Sequence, residues 1–107
     1  MGVRSVRLMY FDEVVARQVE NDGKMFMKKV DNIADYKVPF GLFEEDIIDF
    51  DSFAKWAMAR CFPEERVDCK QLLSELGLDR YDRWSIIKKT NAKMTGRDDF
   101  WIDFQNE

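Results

Sequence analysis

The sequence predicts an α+β domain: an antiparallel β-meander of three strands, a three-helix segment, and a C-terminal strand that rejoins the sheet. Three observations carry this expectation. Residues 3–30 are rich in β-branched, aromatic and long apolar side chains, interrupted by turn chemistry at Asp12-Glu13 and Asn21-Asp22-Gly23. Phe50, Phe53, Ala54, Ala57, Met58 and Cys61 then recur at spacings of three and four, which places all six on one face of a helix. Near the end, Phe100, Ile102 and Phe104 alternate with Trp101 and Asp103, the period of a strand.

The first strand is expected over Val3–Phe11 and the second over Val14–Val19. Asp22-Gly23 supplies the pair that tight hairpins use, because a primed turn needs positive φ, which Gly adopts without a Cβ clash. The third strand follows over Lys24–Val30, where Met25 and Met27 on one face compete with Phe26 and Val30, so both faces are expected to be partly covered. Residues 31–48, with Pro39, Gly41 and the acidic run Glu44-Glu45-Asp46, hold neither period and are expected to be a long irregular connection.

Asp49 or Asp51 can cap the first helix by accepting from free backbone N–H groups, and Pro63 stops it, having no N–H to donate. A second helix carries Cys69, Leu72, Leu73 and Leu76, with Asp68 near its start; Gly77 fits the left-handed closing position and Leu78 packs back. A third is capped by Asp82 and stapled by Tyr81 against Ile86; it runs through Ile87 with Lys88 and Lys89 in its later turns, and Gly96 lies beyond its end.

The 107 residues fall within the range of one compact domain, 1–107, and 46% apolar content with 14% aromatics supplies a core that needs no staples. A net charge of −4 without a long basic run argues against nonspecific binding to nucleic acid or to an anionic membrane and directs attention to protein partners. No apolar stretch approaches the roughly 18–20 residues that span a bilayer, and Met1-Gly2-Val3-Arg4 leads into a strand pattern, so the expected location is cytoplasmic. Cys61 and Cys69 are accordingly expected to be buried thiols, not a disulfide.

The chain contains no histidine, which removes the commonest general base, the histidine-dependent nucleophile arrangements and every imidazole metal ligand. Two cysteines are too few for a four-thiolate zinc site, and no Gly-rich phosphate loop is present. Carboxylate pairs such as Glu44-Glu45 and Asp98-Asp99 read as solvated turns before they read as Mg²⁺ or acid–base sites. No catalytic residue, metal site or cofactor is therefore expected, and the protein is expected not to be an enzyme.

Trp84 and Trp101 are expected to pack in the core or its rim. Trp56 sits about 60° from the centre of the Phe53-Ala57 stripe, at the edge of the apolar face. Phe62 falls just before Pro63, and charges of both signs surround the pair. An aromatic centre with a polar rim is the anatomy of a protein interface, so Trp56, Arg60, Phe62, Glu64 and Glu65 are the candidate partner-binding residues. The competing reading is an ordinary helix stop with surface ion pairs.

The order of elements resembles the N-terminal domain of HipA-like serine/threonine kinases, the toxin components of bacterial toxin–antitoxin systems. The matching residues are Val6-Arg7-Leu8-Met9-Tyr10-Phe11-Asp12 and Val14-Val15-Ala16 in the opening hairpin, Phe53 with Trp56, Phe62-Pro63-Glu64, and Asp82 with Ile86-Ile87. The family's glycine-rich stretch before the last strand is represented only by Gly96, and 107 residues leave no room for the kinase domain. The resemblance thus implies a detached, HipS-like protein that binds and restrains a separately encoded kinase. Two alternatives stand beside it: a small acidic inhibitor from a phage or mobile element that occupies a basic site on a nuclease or other enzyme, and an enzyme using carboxylates and a metal.

Overall fold

The computed structural model describes residues 3–43, 45–94 and 97–106; the expectations placed on Met1, Gly2, Glu44 and Gly96 lie outside them. The chain forms strands β1 (Val3–Tyr10), β2 (Glu13–Asn21), β3 (Lys24–Lys29) and β4 (Ile47–Asp49). Helices α1 (Phe50–Met58), α2 (Cys69–Glu75) and α3 (Arg83–Thr90) follow, then strand β5 (Phe100–Asn106). The strands make one sheet in the order β4-β3-β2-β1-β5, with every neighbouring pair antiparallel. The meander and the returning C-terminal strand are as the sequence predicts, and no helix among the described residues is long and apolar enough to cross a membrane.

Turn chemistry sets the register. Asp22 (φ 53) and Gly23 (φ 78) both adopt positive φ between the paired residues Asn21 and Lys24, which is the two-residue primed hairpin that follows the twist of the strands. Between β1 and β2 the pairing shifts: Leu8 faces Ala16 but Met9 faces Val14, leaving Val15 as an extra residue. Such a bulge turns two consecutive side chains toward one side, and Val15 and Ala16 are both fully buried in the core. The uneven alternation of this hairpin is therefore built into its pairing.

One expectation needs correction. The connection after β3 is irregular only to Asp46; residues 47–49 form β4, paired with β3 through Ile47, Ile48 and Asp49. Three residues are too few to show a period of two, and the pairing that makes them a strand comes from β3. The earlier part of the connection carries a single 3₁₀ turn at Asp35–Lys37 and lays Ile33, Val38, Leu42 and Phe43 against the core.

Side chains at i and i+2 of the strands define two faces. Val6, Leu8, Ala16, Met27, Ile102 and Phe104 point toward the helices and pack with Phe53, Ala57 and Ile87. Met25, on the same side at the open end of β3, stays 40% exposed, and Phe26 is half-buried on the other side. Helix α1 rests on β3, β4 and α3. Asp49 caps it, accepting from the Ser52 backbone N–H at 3.0 Å and from its hydroxyl at 2.8 Å, which holds the Asp49 carboxyl below its ordinary pKa. The helix ends at Met58, and Cys61, the last member of the predicted stripe, lies in the tight turn beyond it.

Helix α2 forms a smaller cluster with α3 and the corner after α1, built on Cys69, Leu73 and Ile86 with Phe62, Leu76, Leu78 and Tyr81. Asp68 stands at its N-cap but makes no cap bond. Its other end closes as the Gly77-Leu78 pair predicts: Gly77 (φ 74) donates to the Ser74 carbonyl at 3.0 Å, and Leu78 donates to Leu73 at 2.8 Å and packs in the same cluster. Asp82 caps α3 through Ser85, and that helix closes on Asn91 (φ 57) and Ala92 (φ 56) in the left-handed region, a termination without glycine.

Leu73 is 8% exposed and central to the small cluster. Leu73→Ala is expected to lower stability by about 2–5 kcal/mol, the range for emptying a filled core site. Lys70→Ala, on the exposed side of the same helix, leaves the urea midpoint unchanged. Parallel urea titrations of the two variants measure this difference.

Candidate functional site

The five predicted partner-binding residues lie on the last turn of α1 and the corner that follows. The structure divides them. Arg60, its side chain only 7% exposed, turns inward across the end of the helix layer. Its Nε donates to the Ala92 carbonyl at 2.7 Å, its Nη1 and Nη2 grip the Asp98 carboxylate at 2.8 and 2.7 Å, and Nη2 also donates to the Phe100 carbonyl at 2.9 Å. Four of the five guanidinium N–H bonds are thereby used within the chain. Trp56 covers this arrangement: the guanidinium carbon lies 4.8 Å from its ring centre, and the indole packs against Phe53 and edge-on to Phe100. Trp56 is half-buried and Arg60 is engaged on all sides, so both hold the corner in place from within.

Phe62, Glu64 and Glu65 face outward to different degrees. Phe62 is half-buried, edge-on to the Tyr81 ring, and its carbonyl accepts the Tyr81 hydroxyl at 2.6 Å. Because that bond uses the only hydroxyl proton, the Cys61 thiol at 3.6 Å is the donor in its own contact with Tyr81. Burial pushes both the Cys61 thiol and the Tyr81 phenol above their ordinary pKa values, so neither ionises near neutral pH. Both cysteines are free thiols; Cys69 is buried as expected, and Cys61 is half-buried. Glu64 and Glu65 are exposed on the turn that Pro63 starts.

Beside this corner runs a groove of about 430 Å³ between the 59–66 segment and the chain leaving α3. Phe62, Ile86 and Met94 give it an apolar floor, and Arg60, Arg66, Lys93 and Arg97 stand around it; no described residue that lines it is acidic. Arg66 is held by Asp68, Nε to carboxylate 2.6 Å, and Arg60 is spent on Asp98. Lys93 rests 5.0 Å above the Trp101 ring, and among the described residues neither Lys93 nor Arg97 has an ion-pair partner. Electrostatically, the groove offers two cations with no ion-pair partner among the described residues next to apolar surface, with Asp98 close to Arg97, in a chain whose net charge is negative.

Sequence reasoning found one wall of this groove and missed the other. Lys93, Met94 and Arg97 lie about thirty positions away, in a stretch without periodicity, and reach the corner only because Arg60 bonds to Ala92, Asp98 and Phe100 on either side of them. Trp84 and Trp101 behave as expected: Trp84 packs edge-on to Phe50 and Phe104, and Trp101 lies half-buried on the sheet with its indole N–H donated to the Phe11 carbonyl.

Asp98 keeps a third of its side chain in solvent, so losing Arg60 chiefly leaves the part-buried Ala92 and Phe100 carbonyls without their donor. Arg60→Ala is therefore expected to cost about 1–3 kcal/mol in urea titrations. Arg60→Lys recovers only part of that, because an ammonium cannot span Ala92, Asp98 and Phe100 together. The same contact sets a pH dependence. Hydrogen bonds from Arg60 hold the Asp98 carboxyl below its ordinary value of 3.8. The folded protein thus takes up that proton less readily than the unfolded chain, and the stabilisation is complete above pH 3.8 and lost as the pH falls through the lowered folded value. Asp98→Asn is expected to melt below the wild type at neutral pH, with the gap closing as melts are recorded at pH values under 3.8.

Comparison of the chain with protein-family models, with curated proteins and with solved structures returns no match.

Proposed function

We propose that the protein is a non-enzymatic, protein-binding regulator, the antitoxin-like partner of a separately encoded HipA-like kinase, and that it engages this partner at the corner groove. The observation that carries the reading is the groove itself: an apolar floor of Phe62, Ile86 and Met94 bordered by Lys93 and Arg97, which have no ion-pair partner among the described residues, with Glu64 and Glu65 exposed on the turn next to Pro63. An apolar centre inside a charged rim is how a protein surface gains affinity from burial and orientation from charge. The groove stands on Arg60 and Trp56, so it is held open before any partner arrives, which lowers the entropy lost on binding. The lack of any histidine supports a binding role over a catalytic one. The kinase as partner rests on the resemblance of the hairpin, the Phe53/Trp56 helix and Phe62-Pro63-Glu64 to the N-terminal domain of that family.

A second reading, an acidic inhibitor that occupies a basic site, draws on the connection before β4. There Phe40 is fully exposed, and Glu45 and Asp46 are exposed close by.

Titration calorimetry of the purified protein against a HipA-like kinase from the same genome separates the two. Phe62→Ala and Arg97→Glu are expected to weaken binding at least about tenfold while Phe40→Ala binds as the wild type does, the size of effect found for residues at an interface centre. The opposite ranking selects the connection as the contact. Absence of heat together with unchanged kinase autophosphorylation overturns the kinase as partner. Melting curves of each variant exclude loss of fold as the cause.

A further inference from the structure

The side of the sheet turned away from the helices carries a second surface. Cross-strand partners share a face, and the pairing Arg7 with Arg17 and Arg17 with Lys28 sets three cations side by side across β1, β2 and β3. Neighbouring strands stand about 4.8 Å apart, so the three charges form a close row. Like charges directly opposite one another are unfavourable in a sheet. Asp103, opposite Arg7 on β5, pairs with Arg7 and relieves one end. Among the described residues Arg17 and Lys28 have no ion-pair partner, and both are exposed.

The row is flanked by apolar side chains on the same face. Val19 and Phe26 face each other on one side of it; Met9, opposite both Val14 and Trp101, lies on the other. Among the described residues no helix lies on this face, since α1 and α3 pack on the other. A solvated sheet face is ordinarily polar. This one alternates uncompensated cations with half-buried apolar groups.

The geometry points to a docking face for an acidic amphipathic helix of a partner protein, laid on the sheet as a third layer. Carboxylates one turn apart on such a helix are about 5–6 Å from each other, a spacing that meets Arg17 and Lys28, while its apolar residues cover Val19, Phe26 and Val14. A single-stranded nucleic acid suits the face less well. One side of the Trp101 ring is covered by Lys93, its indole N–H is committed to Phe11, and Asp49 and Asp103 on the same face repel phosphates.

The test uses the whole protein labelled for amide NMR. The probes are a synthetic helical peptide of about five turns with Leu and Glu on one face, its Glu→Gln counterpart, and an oligo-dT strand. Expected are shifts at Arg17, Val19, Phe26 and Lys28 with the acidic peptide, loss of those shifts in high salt, and at least about tenfold weaker binding by Arg17→Glu. Arg17→Glu places a carboxylate between Arg7 and Lys28, so it is expected to melt no lower than the wild type. Lys28→Gln, which removes one cation without reversing it, provides a second binding measurement. The proposal is overturned if about 1 mM acidic peptide leaves these amides unmoved, if the Gln peptide or both variants bind equally well, or if oligo-dT occupies the face more tightly than the peptide.

Discussion

The fold depends on what Arg60 does at the end of α1. A guanidinium is the one side chain whose donors form a planar fork wide enough to bond a carboxylate in two places and still reach backbone carbonyls. Here it joins three parts of the chain: the left-handed turn at Ala92, the Asp98 carboxylate, and the first residue of β5. Ala92 has a Cβ and a φ of 56, a conformation that costs energy unless its surroundings fix it. The Nε bond to its carbonyl and its burial in the core supply that constraint. Trp56 shields the guanidinium from water, which strengthens every one of these bonds.

The same residues solve a second problem. Strand β5 is an edge, and an open edge is a template for unwanted pairing. Over its first half the outward groups are occupied. The Phe100 N–H goes to Asp98 and its carbonyl to Arg60; the Ile102 N–H goes to the Asn91 carbonyl, and its own carbonyl accepts from the Asn91 side chain. Asn91 can do this because the helix it closes ends in the left-handed region, which asparagine tolerates better than other side chains with a Cβ. Helix termination, edge protection and placement of the groove thus share one set of hydrogen bonds, and loss of Arg60 disturbs all three.

What the sequence made legible follows from the range of the interactions involved. The Asp22-Gly23 turn, the caps at Asp49 and Asp82, the Gly77-Leu78 closure and the Phe53-Ala57 stripe are all decided within a few residues, and all are found where local chemistry places them. Strand β4 and the Val15 bulge depend on a partner strand, and neither leaves a pattern in its own stretch of chain. The candidate site was legible by half for the same reason. Phe62, Glu64 and Glu65 stand at an accessible corner, as their position after a helix and around Pro63 suggests. Arg60 has the composition of a rim charge, yet its engagement depends on Asp98, thirty-eight positions away. Its inward turn could not be read from spacing.

The distribution of charge, not its total, then frames how the surface can work. A net charge of −4 argues against basic function for the chain as a whole, but in two places cations with no ion-pair partner among the described residues stand beside apolar side chains. Lys93 and Arg97 border the corner groove, and Arg17 and Lys28 cross the open sheet. Lys37 and Arg66 are matched locally by Glu13 and Asp68, whereas Lys70, Lys88 and Lys89 stand exposed on the helices, away from both places. Screening limits the reach of an exposed charge to about 8–10 Å at ordinary ionic strength. Distant carboxylates therefore do little to cancel either cluster, and an approaching partner meets the local field. Both places also set their cations beside half-buried apolar side chains, where a carboxylate brought into contact would be partly desolvated and the ion pair would gain strength that it lacks in open water.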